Sequence, residues 1–481
     1  MAKDPFHQQK KLKSAPVVST VQQTPYQRLY GLSENPFPVN ALFVASNDDP
    51  RRNGKIYDPE FRKDEEHTFF EKFVQSPIGD PPLELGFLIV DPQAGGRGNG
   101  KSTFLFRLMR RINEQDWGDW PKNPDAPELF ALGVHVLPEP RKQKNFFELV
   151  RLVFETLYNR GLLKVIDGYL RASILLKRAS PIQLSLLEAM TPDERIEKLS
   201  SGKSFTVLLE MLGFSPEDFR AEVEKSLEEI LGRGVSGDFL LRYLDEGADL
   251  QALWEAWERE DVVRSDYRWQ RYGAEWLVNG LMAVLIAAGY RHFHLLLDEF
   301  EKIYQYQTSK KRDEFLDLFR QHFLERDSVA VKKRYISALL TLHPSIVPYL
   351  RENWARTGLE QFAPLASNRV GIPSITLGAS NSAKLNHLLV TYLDYFRLDK
   401  AHRGQLYPFE TGALDPAFKA ARFYPRDTLW YAANILQKAA REELPAPISE
   451  SYVQSFIAES PKPPRDEDDV TLPEAETNLR G

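Results

Sequence analysis

Two short stretches of this chain carry residues that could do chemistry. The first, "DPQAGGRGNGKST" (91–103), sets Gly95, Gly96, Arg97, Gly98, Asn99 and Gly100 directly before Lys101, Ser102 and Thr103. Residues 95–102 fit the pattern G-x-x-x-x-G-K-[ST]. Glycines let a backbone curl until several N–H groups point inward as an anion nest. A helix beginning at the end of such a nest adds roughly half a positive charge. In this arrangement Lys101 would reach the β- and γ-phosphates of a nucleotide, and the Ser102 hydroxyl would ligate Mg²⁺. The second stretch, "HLLLDEFEK" (294–302), ends an apolar run with two adjacent carboxylates. Asp298 suits the task of holding Mg²⁺ through its water shell, and Glu299 that of orienting and polarising an attacking water.

Elements of the right kind flank both stretches. "LELGFLIVDP" (83–92) is an apolar, β-branched run that stops at Pro, which predicts a buried strand. "KSTFLFRLMRRINEQ" (101–115) has apolar residues at helical spacing, so the glycine-rich stretch lies between a strand and a helix. Further strands are expected near residues 131, 293, 335 and 374, separated by helices. That pattern predicts an α/β fold with a mostly parallel sheet and helices on both faces. Residues 162–271 read as helices throughout, several opening on Ser, Thr or Asp at capping positions. The expected organisation is a tail over 1–27, a first core half over 28–161 and a helical insertion over 162–271. A second core half follows over 272–380, then a helical lid over 381–460 and an acidic tail over 461–481.

Composition narrows the function classes. The chain has 481 residues, a formal net charge of −6 and no cysteine. Disulfides, thiol catalysis and Cys-based zinc sites are excluded. A net negative chain offers no global attraction to nucleic acid, so any such contact needs a local patch. Arg107, Arg110 and Arg111 form a basic helix face, read as solvated. The longest apolar run, "LMAVLIAAGY" (281–290), is half the length a membrane span needs. The opening residues lack the apolar centre of a signal peptide. The expectation is a cytoplasmic chain without a membrane partner. His292 and His294 alternate on one strand face without a carboxylate or Cys partner, which favours a structural role. Trp254 and Trp257, three apart, read as core of the insertion.

"GGRGNGKST", "LLLDEFEKI" and "YPRDTLWYAANILQKA" together resemble the AAA+ ATPase superfamily, a branch of P-loop NTPases. Within it they are most similar to origin-recognition and transposition-regulator ATPases of the STAND-neighbouring branch. "LLLDEFEKIY" also resembles ATPases of bacterial phage-defence operons. The resemblance implies ATP with Mg²⁺ as cofactors and hydrolysis of ATP to ADP. It implies a strand inserted between the two phosphate-binding strands, with a polar tip that reads the γ-phosphate. Thr341 and His343 are the alternatives for that sensor. Arg426 would stand on a lid helix and contact the γ-phosphate, although Phe423 occupies a place where the family usually has Gly. The resemblance also implies an Arg finger donated by a neighbouring subunit, with Arg351, Arg356 and Arg369 as candidates, and hence a homo-oligomer or a hetero-complex with an effector.

The function expected from this reading is an ATP-dependent switch that controls assembly with itself or a partner, in a bacterial DNA-transaction or phage-defence system. Two alternatives stand beside it: a signalling NTPase that gates an effector without touching DNA, and a scaffold that holds ATP without turning it over.

Overall fold

The computed structural model describes residues 23–39, 48–75, 82–90, 100–116, 130–139, 142, 144–232, 237–261, 267–304, 307–325, 335–343, 346–365, 374–378, 380–398 and 400–459. The chain divides into two compact units, Arg62–Ala379 and Met1–Phe61 with Ser380–Gly481.

The larger unit is built on a five-stranded sheet of β1 (Leu85–Val90), β2 (Ala131–Val136), β3 (His292–Leu297), β4 (Ile336–Thr341) and β5 (Ser374–Leu377). Every pairing is parallel, and the spatial order is β2-β3-β4-β1-β5. All five strands fall where the apolar runs predict them. Every residue of β2, β3 and β4 is buried, as parallel strands with covered faces require. The sheet is thus α/β and entirely parallel among the described residues.

β2 lies at the sheet's edge, where its outward backbone groups would be unpaired. Two amide side chains at the end of the helix Lys101–Asn113 supply the missing bonds. Asn113 accepts from Gly133 N at 2.8 Å and donates to Gly133 O at 2.9 Å. Gln115, in the left-handed region at φ 53°, accepts from Ala131 N at 3.3 Å and donates to Ala131 O at 2.8 Å.

Between β2 and β3 the described residues from 162 to 261 form seven helices and no strand, matching the expected all-helical character of that stretch. Trp254 and Trp257 are buried there and stack at 5.4 Å, the core role expected of them. A buried polar network joins the helices. The carboxyl of Asp167 accepts from Tyr243 OH and from Leu250 N, both at 2.9 Å, and Arg171 donates to Leu199 O at 2.7 Å.

The smaller unit departs from the expected boundaries. Residues 28–61, expected with the first core half, cluster with the C-terminal helices instead. Tyr30, Leu32, Phe37, Ile56 and Phe61 share one core with Leu385, Leu389, Leu393, Leu436 and Ile448. The expected tail also ends early, because a helix starts at Pro25. Thr24 caps it and Gln27 reaches back to Thr24 N, a reciprocal capping box with Pro at the first helical position. The helix expected over 382–401 stops at Phe396. There the chain leaves the helix to bond the N-terminal segment, Leu398 N donating to Gly31 O at 2.9 Å. The remainder of the expected tails, 1–22 and 460–481, lies outside the described residues.

One glycine of the larger unit marks a close approach. A Cβ at Gly280, in the helix Tyr267–Ala287, would fall inside the ring of Phe239. That ring is fully buried and held edge-on by Trp276 at 4.9 Å, so it has nowhere to move. Gly to Ala inside a helix normally stabilises by about 0.5–1 kcal/mol. Here Gly280→Ala should instead lower the unfolding free energy by about 1–3 kcal/mol through overpacking. Denaturant titration of the two proteins checks the sign.

Candidate functional site

Parallel strands bring their C-terminal ends to one edge of the sheet, where α/β proteins place their ligands. β1 and β3 are the strands that precede the two chemistry-bearing stretches, and β4 lies between them. In register, Thr341 at the end of β4 faces Leu88 of β1, and the preceding Leu340 faces Leu297, the residue before Asp298.

On the β1 side, Gly95, Gly96, Arg97, Gly98 and Asn99 lie outside the described residues. Gly100 is described. It has φ 79°, a left-handed conformation that favours glycine, and the helix Lys101–Asn113 starts immediately after it. Lys101, Ser102 and Thr103 are therefore the first turn. That turn has no side-chain cap and no acidic residue, so its first N–H groups are left to other acceptors.

On the β3 side, Asp298 is fully buried. Its Oδ1 accepts from Thr341 Oγ1 at 2.8 Å and from Glu299 N at 3.0 Å. Thr341 Oγ1 in turn accepts from Glu299 N at 2.6 Å, and Thr341 O accepts from Phe300 N at 3.3 Å. These bonds hold Glu299 at φ 47°, a conformation that costs a non-glycine residue about 1–3 kcal/mol. Strain of this kind persists where surrounding structure over-determines it.

Burial by itself would raise the Asp298 carboxyl. The attraction of His135, joined by the Ser102 and Thr341 hydroxyls, overcomes that and lowers it to about 2. His135 lies on β2, buried, with Nε2 3.6 Å from Asp298 Oδ2. The ionised Asp298 thus keeps one buried oxygen, Oδ2, without a hydrogen bond. A buried ionised oxygen beside a serine hydroxyl fits a hydrated Mg²⁺, which takes one or two protein groups and fills its shell with water and substrate oxygens. No cluster of three or more metal-ligating side chains occurs among the described residues.

The remaining sequence candidates are treated unequally. Of the two sensor alternatives, Thr341 is the one whose side chain bonds the acidic turn; its hydroxyl proton is already given to Asp298. His343 follows two residues later and is half-buried. Arg356 is paired within its own chain, to Asp313 at 2.8 Å and Glu352 at 3.3 Å, which weakens it as a residue reaching for a neighbour. Arg351 makes no ion pair among the described residues, and its Nε is buried without a partner. Arg369 lies outside the described residues. Arg426, in the first turn of the helix Pro425–Arg441, belongs to the smaller unit. Phe423, where the resembled family has Gly, adopts the left-handed conformation a glycine would take, at φ 61°.

His292 and His294 are buried on β3. Burial lowers His292 to about 4 and holds His294 well below the usual histidine range, and His294 Nδ1 lies 2.7 Å from Ser337 Oγ. This is the structural role expected. The basic face is paired rather than open: Arg110 with Glu114 at 3.0 Å, Arg107 with Asp116 at 3.9 Å, and Arg111 with Glu66.

Sequence reasoning passed over three residues of the site. His135 is a polar interruption of an otherwise apolar strand, "ALGVHV", a signal that was legible. Lys302, in the helix Glu301–Tyr304, pairs with Glu299 three residues before it. Glu301 is the third. Burial pushes its carboxyl up to about 7 against a hydrogen bond from its own backbone N–H and the opposing charge of Lys101, with Glu299 and Asp298 adding to the rise. Its Oε2 is buried without a hydrogen bond.

The Thr341 hydroxyl is the joint between β3 and β4. Thr341→Val keeps the shape and removes one donor and one acceptor, so it should cost about 1–3 kcal/mol in denaturant unfolding, with Thr341→Ser close to wild type. Equal stability of the Val and Ser variants would show that these bonds contribute nothing. No protein-family model, curated protein or solved structure matches this chain, so a reading of its function rests on the residues and their arrangement.

Proposed function

We propose that this chain is a P-loop ATPase of the AAA+ kind, which binds ATP with Mg²⁺, hydrolyses it to ADP, and uses the cycle to control assembly with itself or a partner. The observation that carries the reading is the sheet order. β4 lies between β1 and β3, with Thr341 bonded to the Asp298–Glu299 turn, as the resemblance in the sequence implies for ATPases with a glutamate beside the metal-binding aspartate.

In this reading the uncapped first turn of the helix Lys101–Asn113 and the Lys101 ammonium bind the β- and γ-phosphates. Ser102 and Asp298 would hold Mg²⁺, which would supply neutralisation of the phosphate charge. Glu299 orients the attacking water. Its side chain is paired with Lys302 and one-third exposed, so that pair has to open when the water takes its place. The setting we infer from the sequence resemblance is a bacterial DNA-transaction or phage-defence system. The net charge of −6 leaves nucleic-acid contact to a local patch or to a partner.

Two variants test the core of this. Lys101→Ala should abolish ATP binding in a calorimetric titration. Glu299→Gln should bind ATP as wild type does and release phosphate at least about a hundredfold more slowly, the scale expected for losing a group that positions the nucleophile. Wild-type ATP affinity in Lys101→Ala would sink the phosphate-loop assignment. Wild-type turnover in Glu299→Gln would place water activation elsewhere.

Assembly has its own test. Arg351, free of ion pairs among the described residues, is the better finger candidate, because an arginine that acts in trans must be available to a neighbour. Turnover per chain should rise with protein concentration or on adding the native partner. Arg351→Ala should spare ATP binding and lower turnover, and mixing it with Lys101→Ala chains should restore part of the activity. Turnover independent of concentration and partner, with no rescue in the mixture, would indicate a self-contained switch.

A further inference from the structure

Glu299 is not the only glutamate at the end of β3, and it is the less protected of two. Its carboxylate is engaged by Lys302 and its side chain is one-third exposed. At the next residue the chain turns through Phe300, whose side chain is fully buried and whose N–H is held by Thr341 O. That anchor fixes the start of the helix Glu301–Tyr304. Glu301 Oε2 is buried and unbonded among the described residues. The charges that act on this carboxyl are those of Lys101, Glu299 and Asp298, the groups assigned above to phosphate, water and metal. A buried carboxyl oxygen without a partner is costly, and such a cost is expected where a ligand or water completes the bond.

On the ATPase reading above, we propose that Glu301 is a further catalytic residue: its Oε2 accepts the proton of the water that Glu299 orients. The water oxygen bonds to the γ-phosphorus. The bond from that phosphorus to the β–γ bridging oxygen breaks, and its electron pair leaves with ADP. The water proton passes to Glu301 and from there to solvent, so that ATP and water give ADP and phosphate. Division of labour explains why two glutamates follow Asp298. Glu299, partly solvated, guides the water once its pair with Lys302 opens. Glu301, desolvated, is the stronger base. A carboxyl raised towards 7 lies close to the ambient pH at which general bases work best.

The test uses the full-length chain with Glu301→Gln and the shorter acid Glu301→Asp. Affinity for Mg·ATP is measured by calorimetry, affinity for ADP with aluminium fluoride as a mimic of the transferring phosphoryl group, and turnover by phosphate release. Glu301→Gln should bind ATP within about threefold of wild type, while the fluoride complex weakens and turnover falls by at least about tenfold, with Glu301→Asp between the two. A thermal melt confirms that the variants fold; should the Gln variant not fold, the Asp variant carries the same comparison. Fluoride-complex affinity and turnover within about twofold of wild type would overturn the assignment of Glu301 and leave the ATPase reading standing. So would a loss of ATP affinity as large as the loss of turnover, which marks a role in shaping the empty site. Absence of ATP binding by the wild-type protein would overturn both.

Discussion

The hydrogen bond from Thr341 Oγ1 to Asp298 Oδ1 is the contact on which the site depends. It joins the ends of two strands that are 43 residues apart in sequence and adjacent in the sheet. With its donor given to Asp298 and a lone pair given to Glu299 N, the threonine leaves the aspartate a single unbonded oxygen and leaves the glutamate one backbone conformation. That conformation is strained, and the strain is tolerated because three consecutive residues, Asp298, Glu299 and Phe300, are all bonded to Thr341. A β4 displaced from between β1 and β3 would remove all of these bonds at once.

Electrostatics separates the carboxyls of this turn. Asp298 is fully buried and Glu301 Oε2 is buried, and burial pushes both carboxyls upward. Asp298 has His135, Ser102 and Thr341 to counter it and is held to about 2. Glu301 has only its own backbone N–H and the Lys101 charge against burial and two carboxylate neighbours, and rises to about 7. Two acids three residues apart thus end with opposite proton affinities, an arrangement that suits one to hold a cation and the other to trade a proton. Glu299 stands between them, exposed enough to pair with Lys302.

The rest of the larger unit serves to keep the sheet's edge and faces covered. Amide side chains of Asn113 and Gln115 close the free edge of β2, the strand that carries His135. The helices between β2 and β3 carry an aromatic core of their own and a buried Asp167–Tyr243 pair.

Local patterns in the sequence were sufficient for all five strands, for the helical character of residues 162–261, and for the strand–loop–helix context of Lys101, because burial on both faces leaves uninterrupted apolar runs and amphipathic helices leave a 3.6-residue period. The Pro25 helix was equally legible in Thr24-Pro-x-Gln27 and was passed over, since the polar residues before it carry no periodicity. Three things were decided only by the tertiary structure. The place of β4 between β1 and β3 is a long-range pairing, and one strand's residues do not say which neighbour it takes. The choice between Thr341 and His343 as the residue bonded to the acidic turn depends on register across that pairing. The contrast between Asp298 and Glu301 depends on which buried charges surround each, and in the sequence they are two acids in the same four-residue run.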